Sequence, residues 1–355
     1  MVSPSTNAPD AEPAARRRPD SVAIVIPAQD AAAHLLRVLP AATALQPGGG
    51  VIVIDAGSTD ETAATARAAG VQVRSFTERL GPSAARNAGV AETDAEIVIF
   101  LDADCVPRAD VVERVCEAFA GEPDLVSLTG SYAAETPEPG FLSQYMNLRH
   151  HFTHQIAKRE PATFWTGCGA VRHRAFLAVG GFDAVRFPNG MEDMELGLRL
   201  AEVGRTRLDP GLQVTHLKRW TLRDVLRAEI YFRAAPWARL IIERGHLPDD
   251  LNLRVSQRIA ALVAPLALVA CVLLPSALVM EHWLTAEVSA AVLASSIVLN
   301  LPMFRLFARL RGFRFAVGAW LFHQVHLVYS AATLVACVIA EPFRRDRAVA
   351  AQTRR

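Results

Sequence analysis

The sequence has little net charge, no patterned cysteine and no apolar stretch near its start. Its formal charge is +1, with 37 Lys and Arg against 36 Asp and Glu, so no global field favours nucleic acid as a partner. The five cysteines (Cys105, Cys116, Cys168, Cys271, Cys337) form no C-x-x-C pair and no framework spacing. They read as reduced thiols, two of them in apolar C-terminal runs. Residues 1–20 are rich in Pro, Ala and Arg and lack the h-region of a signal peptide, so a disordered cytoplasmic tail is expected there. No G-x-G-x-x-G follows a predicted strand, which excludes a dinucleotide-dependent oxidoreductase.

What is present is apolar. Hydrophobic residues make up 51% of the 355, and mean hydropathy is +0.21. That is high for a soluble enzyme, and the length gives room for one large domain plus an appendage. Short apolar runs at Val22–Ile26, Val51–Ile54 and Ile97–Leu101 read as buried strands, and Val71–Phe76 as a further strand. Helical patterns separate them, at 30–45, 58–69 and 81–92. The first stops at Pro47 and the glycine turn 48–50, and Ser58-Thr59-Asp60-Glu61 reads as a capping box opening the second. The alternation predicts an α/β domain with a mostly parallel sheet and helices on both faces. Later elements are weaker: strands at Leu125–Leu128 and Leu212–His216, helices at Leu142–Lys158 and Met194–Val203.

Beyond residue 220 the pattern changes. Residues 221–256 are amphipathic, with Arg223, Arg227, Arg233 and Arg239 set among Leu226, Ile230, Phe232, Trp237 and Leu240, as in helices lying on a membrane surface. A membrane region at 257–342 follows, with apolar helices at 259–280, 286–304 and 315–340. The first is long enough to cross a bilayer without a charge. Arg254 and Arg258 flank it, and Arg305, Arg309, Arg311 and Arg314 form a basic loop between the second and third. By the positive-inside rule the N-terminal domain and that loop are cytoplasmic. The basic tail at 343–355 would prefer the cytoplasm too, so either one run is re-entrant or the tail breaks the rule; three spans are expected.

The stretch with chemistry runs from Ile97 to Asp104, I-V-I-F-L-D-A-D. Asp102 and Asp104 follow a strand buried on both faces, and i, i+2 spacing in an extended backbone points both carboxylates to one side. Strand ends of this kind are where α/β sheets bind ligands. Paired carboxylates need a positive partner, and hard oxygen ligands suit Mg²⁺ or Mn²⁺.

Four further motifs accompany it: V-A-I-V-I-P-A-Q-D at Val22, V-I-V-I-D-A-G-S-T-D at Val51, G-P-S-A-A-R-N-A-G at Gly81 and E-D-M-E-L-G-L-R-L at Glu192. Together the five, over Ser21 to about Trp220, closely resemble the family 2 glycosyltransferases of the Rossmann-like GT-A fold. The resemblance implies an inverting transfer from a UDP- or GDP-sugar, with a divalent metal on the diphosphate. It places Asp102 and Asp104 on that metal, Asp104 as the direct ligand. It places Pro27, Ala28 and Asp30 on the nucleoside, Asp55 on the base, and Arg86 near the pyrimidine or phosphate; Ala56 stands where a second acid is usual. Inversion needs a general base, and the E-D motif supplies Asp193 with Glu192 beside it. Glu195 is expected to pair with Arg199. Gly167, Cys168 and Gly169 resemble the small-residue loop on the acceptor side, a tight turn being the alternative. His216 is either a third metal or diphosphate ligand or a core histidine. Arg219 and Trp220 stand where processive members carry R-W, suited to a diphosphate clamp and a sugar-stacking platform. The cluster His150, His151, His154 is read as an exposed helical face.

These readings converge on a membrane-bound, metal-assisted glycosyltransferase with a lipid or lipid-linked acceptor, its catalytic domain on the cytoplasmic face of the inner membrane. A processive polysaccharide synthase is the alternative, disfavoured because three spans cannot enclose a polymer channel and no span is seen ahead of the catalytic domain. A sugar nucleotidyltransferase would need a Gly-rich loop with Arg and Lys after the first strand, which Val22–Asp30 lacks.

Overall fold

The computed structural model describes residues 19, 21–46, 50–245 and 254–352, with side chains (Arg244 apart) as far as Ala340. The expected tail at 1–20 (residue 19 apart), residues 48 and 49 of the glycine turn and residues 246–253 of the amphipathic segment lie outside the described residues. Strands and helices alternate as β1 (Val22–Ala28), α1 (Ala32–Leu45), β2 (Val51–Asp55), α2 (Thr62–Ala68), β3 (Gln72–Ser75), α3 (Pro82–Val90) and β4 (Ile97–Leu101). There follow β5 (Cys105–Pro107), α4 (Val111–Gly121), β6 (Leu125–Tyr132), α5 (Phe141–Ile156), β7 (Cys168–Arg172), α6 (His173–Ala178), α7 (Glu192–Val203) and β8 (Arg205–His216).

The eight strands form one sheet in the order β3-β2-β1-β4-β7-β6-β8-β5. It is parallel from β3 to β4, while β7 runs antiparallel to both β4 and β6. The continuous apolar runs are needed because both faces are covered: every residue of β2 and β4 is buried. On one face Ile24, Ile26, Val53, Ile97 and Ile99 pack with Leu35 and Leu39 of α1 and Val115 and Phe119 of α4. On the other, Phe100 meets the rings of Phe182, Phe176 and Phe164 at 5.2, 5.7 and 6.2 Å. Helix α3 lies so close to the sheet that a Cβ on Gly89 would fall 2.2 Å from Cγ1 of Val25.

This topology fixes where a site can form. β1 lies between β2 and β4, so the chain winds away from it in both directions and leaves a crevice at the strands' C-terminal ends. Ala28, Asp55 and Leu101 end there. The antiparallel β7 starts at the same edge, Cys168 opposite Leu101, and β8 ends there, His216 opposite Cys105.

The capping-box expectation fails. Helix α2 begins at Thr62, and Glu61 before it makes no side-chain cap. Ser58 and Thr59 turn instead to Asp30, whose N–H donates to Ser58 Oγ at 3.0 Å and whose Oδ1 accepts the Thr59 N–H at 2.8 Å. Parallel pairing of β1 and β2 brings Asp30 beside them, and this long-range partner displaces the local one.

After β8 come α8 (Leu222–Arg227), a π-helical stretch at Ala228–Ala234, α9 (Ala235–Arg244), α10 (Val255–Val279), α11 (Trp283–Val298), α12 (Leu301–Arg311) and α13 (Phe313–Gln352). Among the described residues α10 and α13, the latter over Phe313–Ala340, are long and apolar enough to cross a membrane. Leu262, Leu266, Val272, Val279, Val335 and Ile339 are exposed on them. So large an apolar exterior fits hydrocarbon rather than water, and the two helices point to association with a membrane.

The second apolar run is not one continuous helix. It bends by 74° between α11 and α12, where Asn300 leaves helical geometry and Pro302 starts the next helix. The arginines expected in a loop therefore lie on and beside α12, whose Met303, Phe304 and Phe307 pack against Tyr145, Met146, Trp220 and Val225. The expected basic tail is helical in its backbone as far as Gln352.

Candidate active site

Asp102 and Asp104 do not sit in extended backbone. β4 ends at Leu101, and the Cys105 N–H donates to Asp102 O at 2.9 Å, closing a turn. The turn gives the two carboxylates different partners. Oδ1 of Asp102 accepts from Nη2 of Arg86 at 2.7 Å, whereas Oδ2 of Asp104 lies 3.4 Å from Nε2 of His216.

Arg86 is 4% exposed, a buried arginine rather than one on the helix surface. Small residues of α3 let the helix press on the sheet, and the guanidinium reaches under the crevice. Its other arm donates to Glu192 Oε1 at 2.7 Å. One buried cation thus joins the turn after β4 to the start of α7, across 90 residues of chain. Burial opposes its charge, but the Asp102 and Glu192 carboxylates hold it firmly protonated. Its Nε and Glu192 Oε2 are buried without a partner.

Asp193 stands in the first turn of α7, beside Glu192. Gly190 (φ 141°) and Met191 (φ 66°) turn the chain sharply into that helix. A Cβ on Gly190 would lie 2.4 Å from Phe232 O, so the π-helical stretch braces this turn. Oδ1 of Asp193 accepts the Met194 N–H at 2.8 Å. Burial, then the adjoining Glu192 charge, push its carboxyl up to about 7, against the pull of Arg86. A carboxylate tuned to neutral pH can accept a proton there. Glu195 pairs with Arg199 at 2.5 and 2.8 Å, as expected.

At the opposite corner His216 closes β8. Its ring stacks on Tyr132 with centroids 4.2 Å apart and planes 12° from parallel. Asp104, Cys105 and His216 each offer one ligand atom, all within 4.8 Å of one another. Burial would raise the Asp104 carboxyl, but His216 holds it well below the usual range, while burial pushes the Cys105 thiol up. A carboxylate oxygen and an imidazole nitrogen in this geometry fit a divalent cation. The Asp102 carboxylate lies outside this group, taken by Arg86.

The remaining candidates distribute unevenly. Asp55 is buried, and its Oδ1 accepts the Ser58 N–H at 3.1 Å. Pro27 and Ala28 end β1, the Ala28 carbonyl taking the Ala56 N–H at 2.8 Å. Asp30 is committed to Thr59 and, at 2.6 Å, to Arg79, which had no motif to mark it. At Gly167 and Gly169 a Cβ would fall 2.2 Å from the Trp165 ring and 2.4 Å from its carbonyl. Those glycines allow Trp165 to fold onto Tyr132, ring centroids 4.6 Å apart. Trp165 and Tyr132 are aromatics at this corner that no spacing signalled.

Two expectations are corrected. Trp220 is not a free stacking platform: it is 7% exposed, packed with α12, and capped by Lys218 Nζ 4.3 Å above its ring. Arg219 beside it is exposed. The histidines of α5 are not an exposed face either. His154 is buried against Trp165, and His151 Nδ1 lies 2.7 Å from Tyr132 O. His150 Nε2 lies 3.0 Å from Arg233. Their helix is covered by the sheet on one side and the C-terminal helices on the other.

Comparison with known proteins agrees with this architecture. Residues 23–180 match the model of glycosyl transferase family 2. The pre-mycofactocin glycosyltransferase of Mycobacterium tuberculosis is 30% identical over 237 residues, 61% of this chain and 47% of that protein. The succinoglycan biosynthesis protein ExoU of Rhizobium meliloti is 41% identical over 91 residues, 24% of this chain and 27% of that one. The chain thus spans about half the length of the first relative, and less of the second. Among solved structures, the mannosyltransferase PcManGT of Pyrobaculum calidifontis, in complex with GDP-Man and Mn²⁺, shares the fold. Its TM-score is 0.57 at 18% identity, over 92% of this chain and 90% of that one.

Proposed function

We propose that this chain, which carries a family 2 glycosyltransferase domain on a GT-A fold, is a membrane-bound inverting enzyme. It moves a sugar from a UDP- or GDP-sugar to a lipid or lipid-linked acceptor at the cytoplasmic membrane face. The observation that carries the reading is the Arg86 bridge, which ties Asp102 of the D-A-D turn to Glu192 of the E-D motif at 2.7 Å each. Motifs 90 residues apart in sequence so become one site.

In this reading Asp193 takes the proton of the acceptor hydroxyl as its oxygen attacks the anomeric carbon opposite the leaving diphosphate. A base tuned near 7 is matched to that task. Arg86 holds Glu192, and with it the first turn of α7, so the Asp193 carboxylate keeps its place. Asp104 and His216 would hold Mg²⁺ or Mn²⁺. A divalent cation there offsets the negative charge developing on the diphosphate. Pro27, Ala28 and Asp55 line the crevice at the ends of β1 and β2, where the nucleoside would lie. Gly167, Cys168 and Gly169 carry Trp165 to the acceptor side, and exposed Arg219 remains available to the diphosphate.

The membrane part follows from α10 and α13, with the arginines of α12 on the side of the sheet domain. Nucleotide sugars are cytoplasmic, which places the domain on that side.

The test is donor hydrolysis by the purified full chain across a panel of UDP- and GDP-sugars, with and without Mn²⁺. Cation-dependent cleavage of one donor is expected, with donor binding lost in Asp104→Ala while the fold is kept. Unchanged donor affinity of that variant in Mn²⁺, measured by calorimetry, would overturn the metal assignment.

A further inference from the structure

Where the sheet domain meets the C-terminal helices there is a second buried polar cluster, and catalysis as derived above does not use it. It draws on three elements. Tyr145 and Arg149 come from α5, Glu229 and Arg233 from the π-helical stretch, and His323, His326 and Tyr329 from α13. Arg149 and Glu229 are 4% and 5% exposed. Arg149 Nη2 donates to Glu229 Oε2 at 2.8 Å, and Arg233 Nη1 donates to Glu229 Oε1 at 2.5 Å.

The histidines add no charge. An arginine can only donate, so Nε2 of His326, 2.5 Å from Arg149 Nη1, and Nε2 of His150, 3.0 Å from Arg233 Nη1, are acceptors on neutral rings. Two guanidiniums therefore share one carboxylate, and no other carboxylate among the described residues pairs with either. Arg149 is the buried one of the two, and a buried charge left with only a share of one carboxylate is costly unless something balances it. Two details show where balance would come from. Arg149 Nε is buried and unpartnered, and the Arg233 side chain, 40% exposed, opens the cluster to the outside. Polar side chains on a helix otherwise suited to hydrocarbon, and a π-helical stretch facing them, are both features that recur at functional sites.

We propose that Arg149, Arg233 and His150 form an anion site that receives the phosphate group of a phosphorylated lipid acceptor. The inference rests on the lipid-acceptor reading above and specifies its chemistry. The cluster adjoins α13, so a phosphate at headgroup level reaches Arg233 while the lipid chains stay beside the helix. From His150 the path to the metal corner is short. Its ring lies 5.9 Å from that of Tyr132, which is stacked on His216. Glu229 occupies part of the site in the free protein, and a phosphate competes with it for the two arginines.

Calorimetry on the full chain in detergent compares a polyprenyl phosphate, the matching polyprenol and inorganic phosphate. The lipid phosphate is expected to bind about tenfold or more tightly than the alcohol, as charge-assisted bonds to arginine require. Arg233→Gln should erase that preference, and Glu229→Gln, by removing the competitor, should strengthen it. Equal binding of alcohol and lipid phosphate overturns the site. So does a folded Glu229→Gln protein with weakened preference, which would make the cluster a structural weld. Inorganic phosphate binding as tightly as the lipid overturns the lipid source. Arg149→Gln strands Glu229 in the interior and can fail to fold, so Arg233→Gln carries the decision. Nucleotide-sugar binding in Mn²⁺ on the same samples tests the transferase reading separately, and Arg233→Gln should leave it unchanged.

Discussion

The two buried arginine clusters are near mirror images in charge. Arg86 and Arg149 each come from a helix, each is 4% exposed, and each has a partnerless Nε. Around Arg86 two carboxylates, Asp102 and Glu192, meet one guanidinium, and Asp193 stands beside them. Around Glu229 two guanidiniums meet one carboxylate. The first arrangement is short of positive charge and lies across the crevice from the Asp104 and His216 donors that fit a divalent cation. The second is short of negative charge and lies against a helix fit for a membrane. Their common lesson is that a buried ion cluster which fails to balance internally marks where a ligand's charge is needed.

The sharpest way to separate the clusters is at Asp193. Asp193→Asn should lower transfer by about 10² to 10⁴-fold while nucleotide-sugar binding persists, because only the proton acceptor is lost. Near wild-type turnover would move the base to Glu192. The junction cluster should be indifferent, with lipid binding unchanged.

Trp220→Ala tests the opposite corner. Emptying this packed position at the domain junction should cost roughly 3–5 kcal/mol in thermal or chemical unfolding. Donor affinity in the protein that remains folded should match wild type. A lost donor affinity with unchanged stability would restore Trp220 as a sugar platform. By the same packing, a chain ending near Trp220 uncovers Tyr145, Met146 and Trp220, so such a truncation should unfold more readily than the full chain.

Acid should divide the clusters without any substitution. Asp193, raised to about 7, is protonated as pH falls below that value, so the transfer rate should fall about tenfold per unit on the acid side. At the junction burial would raise the Glu229 carboxyl, but Arg149 and Arg233 hold it down at about 2. Its depressed pKa contributes stability that persists above the ordinary carboxylate range and is lost only as pH falls towards 2. Transfer at pH 5.5 should therefore be weak while thermal unfolding monitored at the junction is unchanged. A transfer rate flat from pH 8 to pH 5 would refute the tuned base.

The smallest effect belongs to the exposed pair Arg186–Glu243, 2.5 Å apart with both side chains about half exposed. It links the loop before α7 to α9. Arg186→Ala should change stability by less than about 1 kcal/mol and diminish further in salt. A larger loss would mean that the loop depends on α9 for its position.

Local pattern carried much of this molecule into view. The strand runs Val22–Ile26, Val51–Ile54 and Ile97–Leu101, the D-A-D motif after the last of them, the E-D motif, and the apolar lengths of α10 and α13 are all legible in consecutive residues. A strand covered on both faces must be apolar throughout, and a helix in hydrocarbon must be apolar over its length, so each writes itself into consecutive residues. The partner of each charge is not written that way. Arg86 meets Glu192 across 106 positions, Arg149 meets Glu229 across 80, and the histidines of α5 are buried because a later helix arrives to cover them. Trp220 is closed to a sugar by α12, and residues 305–311, expected in a basic loop, form the body of that helix, which packs on the domain beyond the bend at Asn300. Those outcomes belong to tertiary structure, because a side chain's surroundings are set by elements that no neighbouring residue encodes.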